Sequence, residues 1–341
     1  MVVVSIAKGQ DPYSTTMKAL KNLLEAGVHI PKISLIKPNL LSTIDNKGRI
    51  NTNFRVCEAV VDFLISLGNK EIICAEGSTR GHSDKSSTKT FTAFKNNDYY
   101  KMKEKISHYV DFNLDKPAKW IKIVSPGLNY EVKLGIAKTA IENTIASIAK
   151  FKTHDFLGLT LTLKNMMGSL CQARRIDTDE ILAKGWKTKH FMHGWGIKEP
   201  PGELTIEQMI GPSKIALAKN LIILTSTIKP SLGVIDGIIA MEGDGPTAGV
   251  CKKLNIIIAS TDPVACDVVA CEIAGFNAIE TGYIYAAGRI GLGEYRLEEI
   301  EIIGEKIKDV KQYLKPHHLF QQAKFSKEVA EMLIKEIESL L

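Results

Sequence analysis

Short runs rich in Val and Ile occupy residues 2–7, 33–36, 71–75, 144–150, 234–241 and 254–259. Their length and β-branched character suit strands buried on both faces. Between them, residues 14–26, 54–67 and 203–219 read as helices, and Gly27 and Gly68 stand where left-handed caps would end the first two. Asp262-Pro263 opens another helix, with an Asp N-cap and proline in the first turn; it reaches Ala274 and the cap Gly275. Residues 120–124 and 131–136 read as strands about the turn pair Pro126-Gly127, and 221–225 and 299–303 as two more. A glycine-rich loop is expected from residue 282 and a terminal helix from about residue 326. The alternation of strand, loop and helix predicts an α/β fold, a mainly parallel open sheet with helices on both faces. One domain over 1–341 is expected, with irregular excursions at 83–119 and 171–201. Tyr99, Tyr100 and Tyr109 would anchor the first of these.

The segment 144–168 organises this pattern. Its apolar start predicts a strand over 144–150, then a polar turn through Lys152, Thr153, His154 and Asp155. Asp155 is placed to cap a helix over 157–167, and Gly168 to end it. Lys164 and Asn165 interrupt an otherwise apolar stretch, and an ammonium there must snorkel, pair or meet a ligand.

Composition narrows the function classes. Apolar residues make up 45% and charged ones 24% of 341, which argues against disorder. The net charge of +6 slightly favours small anions and does not call for nucleic acid. No apolar run approaches the ~20 residues of a membrane span, and the start lacks the pattern of a signal peptide, so a cytoplasmic location is expected. The six cysteines contain no C-x-x-C pair; Cys74, Cys266 and Cys271 sit in apolar elements where cysteine acts as a small hydrophobe. A ferredoxin-type cluster needs closely spaced cysteines, so none is expected within this chain.

Charged turns follow five of the expected strands: Lys37/Asn39, Glu76/Arg80, Lys152/His154, Glu242/Asp244 and Asp262. In a parallel sheet they would gather on the carboxyl edge, where ligands bind. GDGPTAG at 243–249 is not a dinucleotide fingerprint, because Pro246 and a new strand intervene where a helix should open; its backbone N–H groups would cradle an anion, or Asp244 and Glu242 would coordinate a hard cation. His190-x-x-His193 gives two metal ligands of a set whose third is not evident. P-loop, protease and hydrolase motifs are absent.

Taken in order, Lys37-Pro38-Asn39, Glu76-Gly77, Lys152-Thr153-His154, Thr162 to Gly168, Asp244-Gly245-Pro246 and Asp262-Pro263-x-x-x-Asp267 resemble the motifs of the domain-of-unknown-function family DUF362 from about residue 30 to 290. Many members of that family carry an added ferredoxin-like segment and an iron–sulfur description; this chain lacks its cysteine run. The resemblance supports the site residues rather than an activity; from the charged turns at the sheet edge, the expected function is an enzyme acting on a small anionic organic molecule, with a divalent metal as a candidate cofactor. His154, Lys164 and Lys37 are the candidate catalytic groups, since imidazole titrates nearest neutrality and lysines neutralise anionic charge. Asn39, Glu76, Arg80, Lys152, Asn165 and Gly245 would line the substrate, and Asp244, Asp262 and Asp267 would hold the metal. The alternative is an accessory protein that binds a metal centre, a cofactor or a partner without catalysis.

Overall fold

The computed structural model describes residues 1–44, 48–79, 89–196 and 206–340, without the side chains of 206–210, 322 and 323. The strands are β1 (Val2–Lys8), β2 (Leu35–Pro38), β3 (Ile73–Glu76), β4 (His108–Asp111), β5 (Pro117–Ile123), β6 (Val132–Ala137) and β7 (Ile145–His154). They continue with β8 (Gly158–Thr160), β9 (Leu170–Arg175), β10 (Ile181–Lys184), β11 (Leu232–Glu242), β12 (Val250–Lys252), β13 (Ile256–Ser260) and β14 (Ile300–Gly304). The main sheet has the order β14-β1-β13-β11-β7-β2-β3-β4, with β12 attached to β11 and β8 to β7. Along that path only β13 is reversed, antiparallel to both β1 and β11. A second sheet, β10-β9-β6-β5, is wholly antiparallel. The fold is α/β, with a mixed, mostly parallel sheet and a smaller antiparallel one.

Both faces of the main sheet are covered, which is why its strands read as apolar runs rather than alternating ones. On one face Ile36, Cys74, Ala146, Ile148 and Val234 meet Leu20 and Leu23 of the helix Pro12–Glu25 and Val60 and Leu64 of Phe54–Ser66. On the other, Leu35, Ala149, Ile235 and Ile258 share a core with the helices Ile206–Thr227 and Pro263–Ala274 and with the second sheet. The two long stretches expected as irregular carry local order. Lys89–Asn96 is helical, β4 joins the main sheet, and Tyr99 and Tyr109 anchor the first stretch through Tyr99 OH to Thr52 O (2.9 Å) and Tyr109 OH to Tyr99 O (2.7 Å).

Three local expectations are corrected. Residues 221–225 are not a strand: the helix Ile206–Thr227 runs through them, and Leu217, Leu221 and Leu224 are buried at helical spacing. A five-residue apolar run is ambiguous between a buried strand and a buried helix. Part of the expected loop from 282 is a helix, Tyr283–Arg289. Around the organising segment, β7 continues through Lys152, Thr153 and His154, and the chain hairpins back as β8 from Gly158, whose φ of 73° is left-handed. The expected helix shrinks to one turn, Thr162–Asn165, then a 3-10 turn, Met166–Ser169. Its capping carboxylate is not Asp155 but Asp267, which accepts the N–H groups of Thr162 (2.8 Å) and Leu163 (3.1 Å).

Candidate functional site

β2, β3, β7 and β11 run parallel, so Pro38, Glu76, His154 and Glu242 all finish at one edge of the sheet. Lys37 stands opposite Ser147 in register, and its ammonium is fully buried. Nζ donates to both oxygens of Glu76 (2.8 and 2.7 Å), to Asn165 Oδ1 (3.1 Å) and to Pro38 O (3.3 Å). Glu76 also accepts Gly77 N (2.7 Å) and Leu40 N (3.2 Å). Asn165 closes the network by donating to Lys37 O (3.0 Å) and Ser147 Oγ (3.1 Å), while its Oδ1 also accepts Asn39 Nδ2 (3.1 Å). Burial pulls the Lys37 pKa down, against the pull of Glu76. The pair is thus desolvated and saturated with partners, the condition a buried charge needs.

Gly168 is not a left-handed cap. A Cβ there would land on Glu76 Oε1 and Lys37 Nζ, so glycine lets the 3-10 turn lie directly over the ion pair. Beside it, Lys189 enters from the 3-10 segment Gly185–His193 and donates to Gly77 O (2.9 Å) and Asn113 Oδ1. Burial lowers its pKa to about 8, with Glu76 and Asp111 opposing.

Above this layer the described residues enclose a cavity of about 640 Å³. Its walls include Lys152, Lys164, Lys189, His154, Asp155, Phe156, His190, His193 and Trp186, with Glu76 and Asn165 at its floor. His154 Nδ1 lies 2.8 Å from Asp155 Oδ1, which also accepts Phe156 N (2.9 Å). Nδ1 also faces the Phe156 N–H (3.2 Å), which is shared with Asp155 Oδ1; with the proton on Nδ1 toward the closer carboxylate, Nε2 is the basic nitrogen. Burial lowers the His154 pKa to about 4, with the Lys164 charge adding to the fall and Asp155 opposing it. Burial and Lys164 likewise bring His193 to about 3. Asp155, against the cost of its own burial, is held below the usual carboxylate range by His154 and His193. Both imidazoles are neutral near pH 7, in a cavity whose ammoniums outnumber its carboxylates. Such a site can attract an anion and take a proton from it.

The residues expected at the site divide into three groups. Lys37, Asn39, Glu76, Lys152, His154, Lys164 and Asn165 come together at the carboxyl edge, with Lys37 beneath the cavity floor and Lys152 Nζ donating to Asn39 Oδ1 (2.7 Å) and Ile50 O (3.0 Å). Lys164 and Asn165 diverge as helical neighbours must: the lysine lines the cavity and the amide turns down into the strands. Gly245 packs so closely on the end of β7 that a Cβ would meet Thr153 O, and Pro246 after it reaches the cavity. Arg80 lies outside the described residues.

Asp244, Asp262 and Asp267 are not brought together. Asp262 follows β13, the reversed strand, so it stands at the opposite edge, where Oδ1 caps Val264 N and Ala265 N and Oδ2 accepts Glu294 N. Asp267 is buried against Thr162 and Leu163, and burial raises its pKa to about 7 against those donors. Asp244 is half-exposed and meets His318 Nδ1 at 2.7 Å. Sequence reasoning missed Lys189, the pairing of Asp155 with His154, and a second buried ion pair, Lys150 Nζ to Asp236 Oδ2 (2.8 Å). Only Lys150 and Asp236 carried a signal, as charges inside apolar strands.

A mostly parallel α/β sheet with a cavity lined by three lysines at its carboxyl edge defines the class. The chain belongs to the family described as a domain of unknown function, DUF362, whose profile matches residues 35–272. It is 26% identical over 264 residues to the thylakoid-associated protein sll1697 of Synechocystis sp. (strain ATCC 27184 / PCC 6803 / Kazusa), covering 76% of this chain and 68% of that protein. A crystal structure of a protein from Thermotoga maritima overlaps 79% of this chain at 14% identity and a TM-score of 0.44. The chain spans 60% of that protein's length. No helix among the described residues is long and apolar enough to cross a membrane.

Proposed function

We propose that the cavity binds a small anionic organic molecule and that His154 exchanges a proton with it. The observation that supports this reading is the His154–Asp155 pair set beside Lys164 in one cavity of about 640 Å³. That volume suits a metabolite-sized ligand. Lys152, Lys164 and Lys189 supply the positive potential, and Asn39 and Asn165 fix the amide surface of the floor. His154 Nε2 is the general base. An anion beside Lys164 offsets the charge that depresses the imidazole, so the ligand itself raises the basicity of the group that acts on it. Asp155 is a positioning residue: it sets the tautomer. Lys37 and Glu76 build the floor and do not need to touch the ligand.

The test compares thermal stability of wild type and Lys164→Met with and without acetate, malonate, phosphate and methanesulfonate. At least one anion should raise the melting temperature of wild type and do so much less for the variant. An anion that stabilises both equally, or a wild type that none of them stabilises, would count against the reading.

A further inference from the structure

Outside the cavity, two distant parts of the chain bring three metal-ligating side chains together. The turn after β11 carries Asp244, and the segment before the short helix Phe320–Ala323 carries His317 and His318. Hydrogen bonds clamp them: Gly243 N donates to Lys315 O (2.6 Å), Lys315 N to the Glu242 side-chain Oε2 (3.0 Å), and the Lys252 side-chain Nζ to Tyr313 O (2.7 Å). Ligand atoms of Asp244, His317 and His318 all lie within 4.8 Å of one another, and among the described residues no other such group of three occurs. His317 is buried and stacked on His318 with ring centroids 4.5 Å apart, and both rings approach the same oxygen, Asp244 Oδ1.

We infer that Asp244, His317 and His318 form a binding site for a divalent transition-metal ion of the zinc class. Two imidazoles and one carboxylate favour such an ion over magnesium or calcium, which prefer all-oxygen shells. The spacing agrees. Ligand bonds of ~2.0–2.1 Å at a tetrahedral angle put neighbouring ligand atoms about 3.3 Å apart. Asp244 Oδ1 lies 2.7 Å from His318 Nδ1 and 3.8 Å from His317 Nε2, values on either side of that separation. A small rotation of the half-exposed Asp244 would equalise them.

The proton balance is simple. His318 Nδ1 now shares a proton with Asp244, and His317 Nδ1 accepts Leu319 N (3.1 Å), which places its own proton on Nε2. Ligation moves each imidazole proton to the other ring nitrogen, with no net release; the Leu319 hydrogen bond is given up. Three protein ligands leave a fourth position open, as in catalytic rather than structural zinc sites. This site follows from its own residues and does not rest on the anion reading. Asp244-Gly245-Pro246 is continuous with the cavity wall. A bound ion would pin the 313–318 segment to the turn that carries Pro246.

The test uses the full chain without an affinity tag. Cobalt(II) is titrated in while visible ligand-field absorption is followed, then zinc is added in competition, with magnesium as a control. Wild type should bind about one equivalent of cobalt, release it to zinc and ignore magnesium. His318→Ala, a change at an exposed side chain, and Asp244→Ala should each weaken cobalt binding at least about tenfold. A wild type with no saturable cobalt spectrum would overturn the inference, as would folded variants that bind cobalt as tightly as wild type.

Discussion

Replacing Lys37 by Met removes an ammonium that sits entirely out of water and keeps most of the side-chain volume. The side chain is 0% exposed and makes hydrogen bonds to Glu76, Asn165 and Pro38 O. Its loss leaves Glu76 buried, with the Gly77 and Leu40 N–H groups as its hydrogen-bond partners among the described residues and Lys189 as a nearby charge. Breaking one side of a buried pair costs about 3–5 kcal/mol, because the remaining charge is uncompensated. Replacing both members costs much less, since the desolvation penalty of both charges disappears with their attraction. Lys37→Met should therefore lower unfolding stability by about 3 kcal/mol or more, and Lys37→Met/Glu76→Gln should regain about 2 kcal/mol of that. Urea unfolding followed by circular dichroism and tryptophan fluorescence measures all three proteins, with a common m-value as the check on two-state behaviour. A single variant within about 1 kcal/mol of wild type would place the pair in the class of exposed salt bridges and refute the reasoning. Strict additivity of the two substitutions would do the same.

Lys164→Met should fold normally and lose anion affinity by roughly 1.5–3 kcal/mol, the range for a hydrogen bond to a charged group, as read by ligand-dependent melting. Asp267 gives a pH signature. Its folded pKa of about 7 exceeds the 3.8 of the exposed group, so between those values the folded protein keeps a proton that the unfolded chain has released. The stability this supplies is fully present in acid and lost as pH rises through 7. The advantage of wild type over Asp267→Asn should shrink by a few kcal/mol between pH 5 and pH 8 in urea unfolding; a constant difference would show that the carboxyl is ionised throughout.

The sheet edge was legible because the strand-and-turn grammar is local. Lys37, Glu76 and His154 each follow or close an apolar β-branched run, and a parallel sheet must collect such ends. Asp262 shows the limit of that rule: the run before it reads like the others, and nothing local reveals that β13 points the other way. The shortened helix after β8 was illegible for a related reason. Its cap, Asp267, lies 105 residues from Thr162, and its closing glycine is demanded by an ion pair from two other strands. Lys189 and His193 come from a stretch without helical or strand period, so their convergence on the cavity exists only in three dimensions. The cluster of Asp244 with His317 and His318 is likewise a product of tertiary folding, joining residues that share no motif.

The claim at the centre of this account is that an anion in the cavity and a proton on His154 favour one another. Isothermal titration calorimetry near pH 5, in two buffers of different ionisation enthalpy, counts the protons taken up when the best-bound anion of the panel associates, after its own ionisation is subtracted. At that pH an imidazole with a pKa of about 4 is mostly neutral, and it gains a proton as the ligand offsets Lys164. Wild type should show a net uptake amounting to a substantial fraction of one proton, and His154→Gln should bind with almost none. Anion binding with no proton uptake in wild type, or with the same uptake in His154→Gln, would contradict it.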